Sequence, residues 1–199
     1  MQDQQAIRLF FDDIRQKCPT ITEAELLQFA TKLTVQRLNT RAFYRNAEKV
    51  PPQLGFIAGG LVKGFYIDIN GEPNNIYFGA EGDPVGDYLA FVHQIPSAYA
   101  IQTLEPTIVV NLTFADFERS LVQFPSLERY YRLLAETGFY NYLQRTADLQ
   151  SVSAEERYLQ FLRQKPRLAE RISVSDLSSY LGIKRQSLTR IRKKLRETA

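Results

Sequence analysis

Residues 174–199 read Val174-Ser-Asp-Leu-Ser-Ser-Tyr-Leu-Gly-Ile-Lys-Arg-Gln-Ser-Leu-Thr-Arg-Ile-Arg-Lys-Lys-Leu-Arg-Glu-Thr-Ala199. Leu177 and Leu181 lie four positions apart, so they share one face of a short helix. Gly182 follows where a helix ends and where a residue with positive φ is favoured. The next segment has an apolar stripe at i, i+3 and i+7, formed by Leu188, Ile191 and Leu195. The spacing predicts two short helices joined by a tight turn.

The other face of the second predicted helix is strongly basic. It carries Lys184, Arg185, Gln186, Thr189, Arg190, Arg192, Lys193, Lys194 and Arg196. A basic helix crossing a small one is the layout of a helix-turn-helix, which indicates duplex DNA as the partner. The alternative is an ordinary amphipathic hairpin with a solvated basic face, because cations also suit helix C-termini. The small Ser178, Gly182 and the corner residue Ile183 favour the helix-turn-helix.

The net charge of +3 is unevenly distributed along the 199 residues. Residues 157–199 carry a net charge of +9, whereas residues 1–156 carry −6. This asymmetry indicates a nucleic-acid surface in the C-terminal part alone.

Composition argues against several other classes of protein. The sequence has one cysteine, Cys18, and one histidine, His93. We therefore expect neither an intrachain disulfide nor a metal site built from clustered cysteines or histidines. No apolar run approaches the roughly 20 residues that span a bilayer, and the polar N-terminus lacks a signal-peptide core, so we expect a cytoplasmic protein without membrane contact. No nucleophile–base motif or phosphate-binding loop is present, so no catalytic residue and no enzyme is predicted. A haem on His93 and a redox switch at Cys18 are minor alternatives.

The rest of the chain changes periodicity twice. Helical patterns cover residues 4–16 and 22–37, the second opened by a Thr22/Glu25 capping box. From about residue 34, short apolar runs alternate with turn residues such as Asn70-Gly71, which is typical of a small antiparallel barrel or sandwich. Helical patterns return from residue 114.

A long helix is predicted from Leu127 to Leu149, and Ser153 caps the next helix. The long helix carries more aromatic residues than packing on a small barrel requires, which suggests a dimer helix; packing wholly within its own domain is the alternative. The predicted fold class is α+β. The predicted domains are a β domain with N-terminal helices over 1–125, a dimerisation helix over 126–149 and a helix-turn-helix domain over 150–199.

This order of elements resembles the Crp/Fnr family of bacterial transcriptional regulators over roughly residues 20–197. The residues that carry the resemblance are Ala154-Glu-Glu-Arg-Tyr-Leu-Gln-Phe-Leu before Pro166, Tyr180-Leu-Gly-Ile-Lys-Arg-Gln-Ser-Leu-Thr-Arg-Ile-Arg-Lys and Phe56-Ile-Ala-Gly-Gly-Leu-Val-Lys-Gly-Phe-Tyr. The resemblance implies an effector-sensing antiparallel β-roll, of the jelly-roll type that binds cyclic nucleotides, and a DNA-binding homodimer. RNA polymerase is a further partner of such regulators.

The same resemblance implies the residues that contact DNA. Base contacts come from Arg185, Gln186 and Arg190, because Arg pairs with guanine and Gln with adenine. Phosphate contacts come from Ser175, Lys184, Ser187, Thr189 and Lys193. A symmetric dimer implies a near-palindromic operator. Longer relatives continue into a β-hairpin wing, so contacts from a wing are not expected in a chain ending at Ala199.

The phosphate cassette of the family reads Gly-Glu, a short helix, then Arg-Ser-Ala. Here Gly86-Asp87 and Pro96-Ser97-Ala98 take those places, and no Lys or Arg occurs between Lys63 and Arg119. An arginine–phosphate pair contributes about 1.5–3 kcal/mol, so we expect weak or no cyclic AMP binding and predict no cofactor.

Another ligand remains compatible with this region. The candidate effector pocket consists of Tyr77, Phe78, Gly86, Asp87, Tyr88, Ser97, Ala98 and Tyr99, although such aromatics are more often plain core. The alternative function is a small-molecule or cyclic-nucleotide-binding module whose basic tail mediates protein contacts.

Overall fold

The computed structural model describes residues 1–197, so Thr198 and Ala199 at the end of the predicted helix-turn-helix domain lie outside the described residues. The helices are α1 (Asp3–Lys17), α2 (Glu23–Ala30), α3 (Tyr88–His93), α4 (Phe114–Gln123), α5 (Pro125–Ser151), α6 (Ala154–Gln164), α7 (Pro166–Arg171), α8 (Val174–Tyr180) and α9 (Arg185–Glu197). The strands are β1 (Leu33–Leu38), β2 (Phe43–Arg45), β3 (Gln53–Gly59), β4 (Leu61–Ile67), β5 (Pro73–Ala80), β6 (Pro84–Val85), β7 (Ala100–Thr103) and β8 (Thr107–Thr113).

The strands form two four-stranded sheets, in the orders β1-β8-β3-β6 and β2-β7-β4-β5. In the first sheet, β8 lies between β1 and β3 and is antiparallel to both. The non-sequential order is that of a β-roll, which confirms the predicted α+β class. The predicted Asn70-Gly71 turn joins β4 to β5, with Gly71 at φ +81° and Asp68 accepting from the Asn70 and Glu72 amides.

The chain divides into two compact units. The first, which we call the β unit, comprises residues 1–64 and 78–138; the second, the helical unit, comprises residues 65–77 and the chain from 139 onward. Helix α5 runs without interruption through both predicted domain boundaries, and the division between the units falls between Gly138 and Phe139.

The core of the β unit lies where helix α1 packs against strands β3 and β8. Phe10 of α1 stacks on Phe56 of β3 at 4.8 Å between ring centroids and meets the edge of Tyr130 at 6.0 Å. Tyr130 is 1% exposed and its hydroxyl donates to Asp13 at 2.7 Å. The N-terminal helix and the start of α5 thus share one core with the β-roll.

Helix α2 corrects one sequence prediction. Its Thr22/Glu25 capping box is present, but the helix ends at Ala30 rather than near residue 37. Residues 33–38 instead form β1, each paired in register with β8. Pairing along the whole strand outweighs a helical pattern, because local propensity is a weak prior against tertiary contacts. No helix within residues 1–197 is both long and apolar enough to cross a membrane.

Candidate nucleic-acid interface and effector pocket

Helices α8 and α9 form the predicted helix-turn-helix within the helical unit. Ser173 caps α8 by accepting from the Asp176 amide, and Leu177 and Leu181 are almost fully buried. Gly182 has φ +67°, as its place after the helix predicts, and the Ile183 amide donates back to the Ser178 carbonyl at 3.0 Å. A Cβ on Gly182 would lie 3.0 Å from Leu149 Cδ2 and would occupy a left-handed backbone conformation, so glycine suits this corner on both counts.

Two arginines outside the motif hold the C-terminal end of α8. Arg145 of α5 donates to the Tyr180 carbonyl at 2.9 Å and lies over the Tyr180 ring at 4.8 Å. Arg157 of α6 donates from Nε to the Leu181 carbonyl at 3.1 Å and from Nη1 to the Val152 carbonyl. Carbonyls at a helix C-terminus lack partners within the helix, so these side chains fix where the turn begins. Sequence reasoning missed both roles, because an arginine that donates to a distant backbone carbonyl leaves no spacing signal.

The helix α9 presents the predicted base-reading residues to solvent. Arg185, Gln186 and Arg190 are all exposed. Neither arginine forms an ion pair or a side-chain hydrogen bond within residues 1–197. Of the predicted phosphate contacts, Ser175, Lys184, Thr189 and Lys193 are exposed and Ser187 is half-buried.

The basic residues of α9 divide into two groups. Arg192 donates to the Tyr158 hydroxyl at 3.1 Å and lies over its ring, and Lys194 pairs with Glu155 at 2.9 Å. These two charges therefore point toward α6 and not, as the sequence suggested, to the open face. Lys193 remains on the open face, where Glu197 approaches it at 3.8 Å.

A surface groove of about 390 Å³ lies along the same helix. It is lined by Val174 at the start of α8 and by Thr189, Arg192, Lys193, Arg196 and Glu197 of α9. Three of its six lining residues, Arg192, Lys193 and Arg196, are cationic, and Glu197 is acidic.

In the β unit, four of the predicted pocket residues come together at the cassette. Asp87 caps α3 by accepting from the Ala90 amide at 3.1 Å, and its other oxygen accepts from the Ser97 hydroxyl at 2.8 Å. The Tyr99 hydroxyl donates to the Gly86 carbonyl at 3.1 Å. Burial, followed by the charge of Asp87, raises the pKa of Tyr99, while Arg45 lowers it. The cassette is thus closed by hydrogen bonds among its own residues.

The other predicted pocket residues are not partners in these hydrogen bonds. The Tyr88 ring packs edge-on against Phe117 at 6.4 Å, Phe78 is buried on β5 and Ala98 is exposed. Tyr77 falls in the helical unit. His93 is exposed at the end of α3, while Cys18 is fully buried, which raises the pKa of its thiol. Among residues 1–197, no three His, Cys, Asp or Glu side chains form a metal-binding group.

Comparison with solved structures identifies this fold. FixK2 from Bradyrhizobium japonicum superposes with a TM-score of 0.75 at 17% identity, over 83% of this chain and 85% of that one. The c-di-GMP-responsive global regulator CLP from Xanthomonas campestris gives a TM-score of 0.70 at 16% identity, over 89% and 93%. A protein from Eubacterium rectale assigned to the Crp/Fnr family of transcriptional regulators gives 0.68 at 14% identity, over 90% and 86%.

These likenesses confirm, at the level of the fold, the resemblance carried by the sequence motifs: the chain has the fold of Crp/Fnr regulators. No family model and no curated protein matches the sequence.

Proposed function

We propose that the protein is a DNA-binding transcriptional regulator of the Crp/Fnr type. The observation that carries the proposal is the open face of α9, where Lys184, Arg185 and Arg190 are exposed and form no ion pair within residues 1–197. Arg185 and Arg190 on α9, with Lys184 directly before it, give this end of the helix the positive charge that DNA phosphates attract, and a helix has the width that a major groove admits. The protein acts by binding, not by catalysis.

The active species is a homodimer, joined along the second half of α5. Phe139 and Tyr142 there are 66% and 67% exposed, and Leu143 is 50% exposed. Large apolar side chains at i, i+3 and i+4 form an unpartnered stripe, and a second copy of the same helix covers such a stripe symmetrically. Two recognition helices related by a two-fold axis read a near-palindromic operator.

The β unit senses a small effector that is not cyclic AMP. The Asp87 carboxylate is engaged by Ala90 and Ser97, and the Gly86 carbonyl accepts from Tyr99, so the cassette has neither a free carboxylate for a ribose nor an arginine for the phosphate. A cyclic nucleotide therefore does not fit the residues present at this place.

The test is the salt dependence of binding to random duplex DNA, measured by fluorescence anisotropy. A regulator that neutralises several phosphates shows a steep linear fall of log K with log salt, with a slope near −0.9 for each phosphate contacted. A module whose basic tail serves protein contacts shows little binding and a shallow slope, and that result would contradict the proposal.

A further inference from the structure

Arg45 on β2 is a buried cation without an anionic partner. The residue is 6% exposed. Its Nη2 donates to the Gln53 carbonyl at 2.8 Å, while its buried Nε makes no hydrogen bond. No carboxylate within residues 1–197 forms an ion pair with it. The guanidinium lies over the Tyr44 ring at 5.4 Å, which offsets part of the cost of burying its charge. Burying a charge costs several kcal/mol unless an opposite charge or a full set of hydrogen bonds compensates, and Arg45 has neither.

The backbone of β2 explains why Arg45 points inward. Phe43 pairs with Gln102 of β7 but Arg45 pairs with Ile101, so the register shifts between the two residues. In a regular strand, neighbouring side chains point to opposite faces, yet Tyr44 and Arg45 are both buried. A local irregularity of this kind redirects a side chain and often lies beside a functional site.

Arg45 also lies within electrostatic reach of the cassette. Arg45 lies on β2, which pairs with β7 in the sheet. Strand β7 begins directly after Tyr99, whose hydroxyl donates to the Gly86 carbonyl. Burial and the charge of Asp87 raise the pKa of Tyr99, whereas the positive charge of Arg45 lowers it. Arg45 thus places a positive charge near Tyr99 from a strand some 50 residues earlier in the chain, although it is not part of the cassette itself.

We propose that Arg45 is the anchor of the effector site and that it binds an oxyanion group, a phosphate or a carboxylate, carried by a small ligand. The guanidinium has Nε and Nη1 left to form a two-pronged contact, the geometry in which arginine binds both anions. This inference deepens the proposed sensory role of the β unit and assigns it a ligand class.

The experiment compares thermal unfolding of the full chain in inorganic phosphate, in succinate and in chloride, at constant ionic strength. At a concentration about tenfold above the dissociation constant, the wild type is expected to gain about 3–5 °C in one or both oxyanions relative to chloride. Arg45→Met should lose that gain. Arg45→Lys keeps the charge without the fork and should need about tenfold more anion for the same shift.

Arg8→Met is the matched control, since Arg8 is exposed on α1 in the same unit. Its response should equal that of the wild type, and anion binding by α9 contributes equally to all four proteins. No oxyanion shift in the wild type, or an equal shift in Arg45→Met, would overturn the proposal. DNA affinity measured on the same samples separates the two hypotheses, because loss of the Arg45 site leaves α9 unchanged.

Discussion

At the scale of single residues, we expect the open face of α9 to separate residues that read bases from residues that hold phosphates. Arg185 and Arg190 make no ion pair within residues 1–197, so we expect their guanidinium groups to reach DNA without first breaking a contact. Lys193 has an acidic neighbour, Glu197, at 3.8 Å and carries a point charge suited to phosphate. The two kinds of residue should respond differently to the sequence of the DNA.

We expect Arg185→Ala and Arg190→Ala each to weaken binding to a selected operator by about 1–3 kcal/mol, and to weaken binding to random duplex by much less. Lys193→Ala is the matched control: it should weaken both duplexes equally and reduce the salt slope by about one unit. Anisotropy titrations on the two duplexes measure all three effects. If both arginine variants lost equal affinity for operator and random DNA, these arginines would not be base-reading residues.

The residues of the candidate sites differ in how far the sequence could predict them. Gly182, Leu177 and Leu188 were predictable because a helix-turn-helix imposes its own local spacing. Arg45 was not, because its inward position depends on a register shift between two strands that are more than 50 residues apart. Arg192 was assigned to the wrong face, because its direction depends on Tyr158 of another helix.

At the scale of elements, the position of α8 depends on side chains from its neighbours. Arginines contact the C-terminal end of α8, and Asn75 contacts it elsewhere. The side-chain amide of Asn75 donates to the backbone carbonyl of Asp176 at 3.0 Å, and the backbone N–H of Asn75 donates to the Ser179 hydroxyl at 2.9 Å. Arg145 also donates to the Asn75 carbonyl at 3.2 Å. The segment 65–77 is thereby hydrogen-bonded to the helix-turn-helix within one compact unit.

Arg157→Met should destabilise the helical unit by about 1–3 kcal/mol, because it leaves the carbonyls of Leu181 and Val152 without their donors. Arg163→Met on the same helix is the control, since the Arg163–Glu156 pair is exposed and should contribute no more than about 1 kcal/mol. Urea unfolding followed by circular dichroism gives both values. Similar losses in the two variants would show that Arg157 contributes only as a surface residue does.

At the scale of the whole molecule, the class of fold could be predicted from the sequence. The alternation of apolar runs indicated a small antiparallel barrel or sandwich, the family resemblance implied a β-roll, and β8 is antiparallel to both β1 and β3 as expected. The division between the units falls within α5, which is one continuous helix from Pro125 to Ser151, and its buried residues Leu127, Tyr130 and Tyr131 all lie in the β unit. Helix length alone therefore says little about where one compact unit gives way to the next.

The second half of α5 bears the last prediction, which concerns the assembly. Phe139, Tyr142, Leu143 and Thr146 recur at i, i+3, i+4 and i+7, and we call this stripe the dimer seam. Tyr140 is as exposed as Tyr142, at 66% against 67%, but lies outside the stripe, about 160° around the helix from Tyr142. The two tyrosines thus form a matched pair for testing the seam.

Tyr142→Glu should raise the dimer dissociation constant by about tenfold or more, because two glutamates then meet in an apolar interface around the symmetry axis. Tyr140→Glu, which adds the same charge off the seam, should leave the dimer intact. Sedimentation equilibrium at micromolar concentration measures the change, with the wild type expected at twice the 22.9 kDa of one chain. Affinity for the palindromic operator should fall with dimerisation in Tyr142→Glu, while affinity for a single half-site stays unchanged, because α9 is untouched. A wild type that sediments as a monomer would contradict the dimer. Equal dissociation constants for the two variants would contradict the seam as its interface.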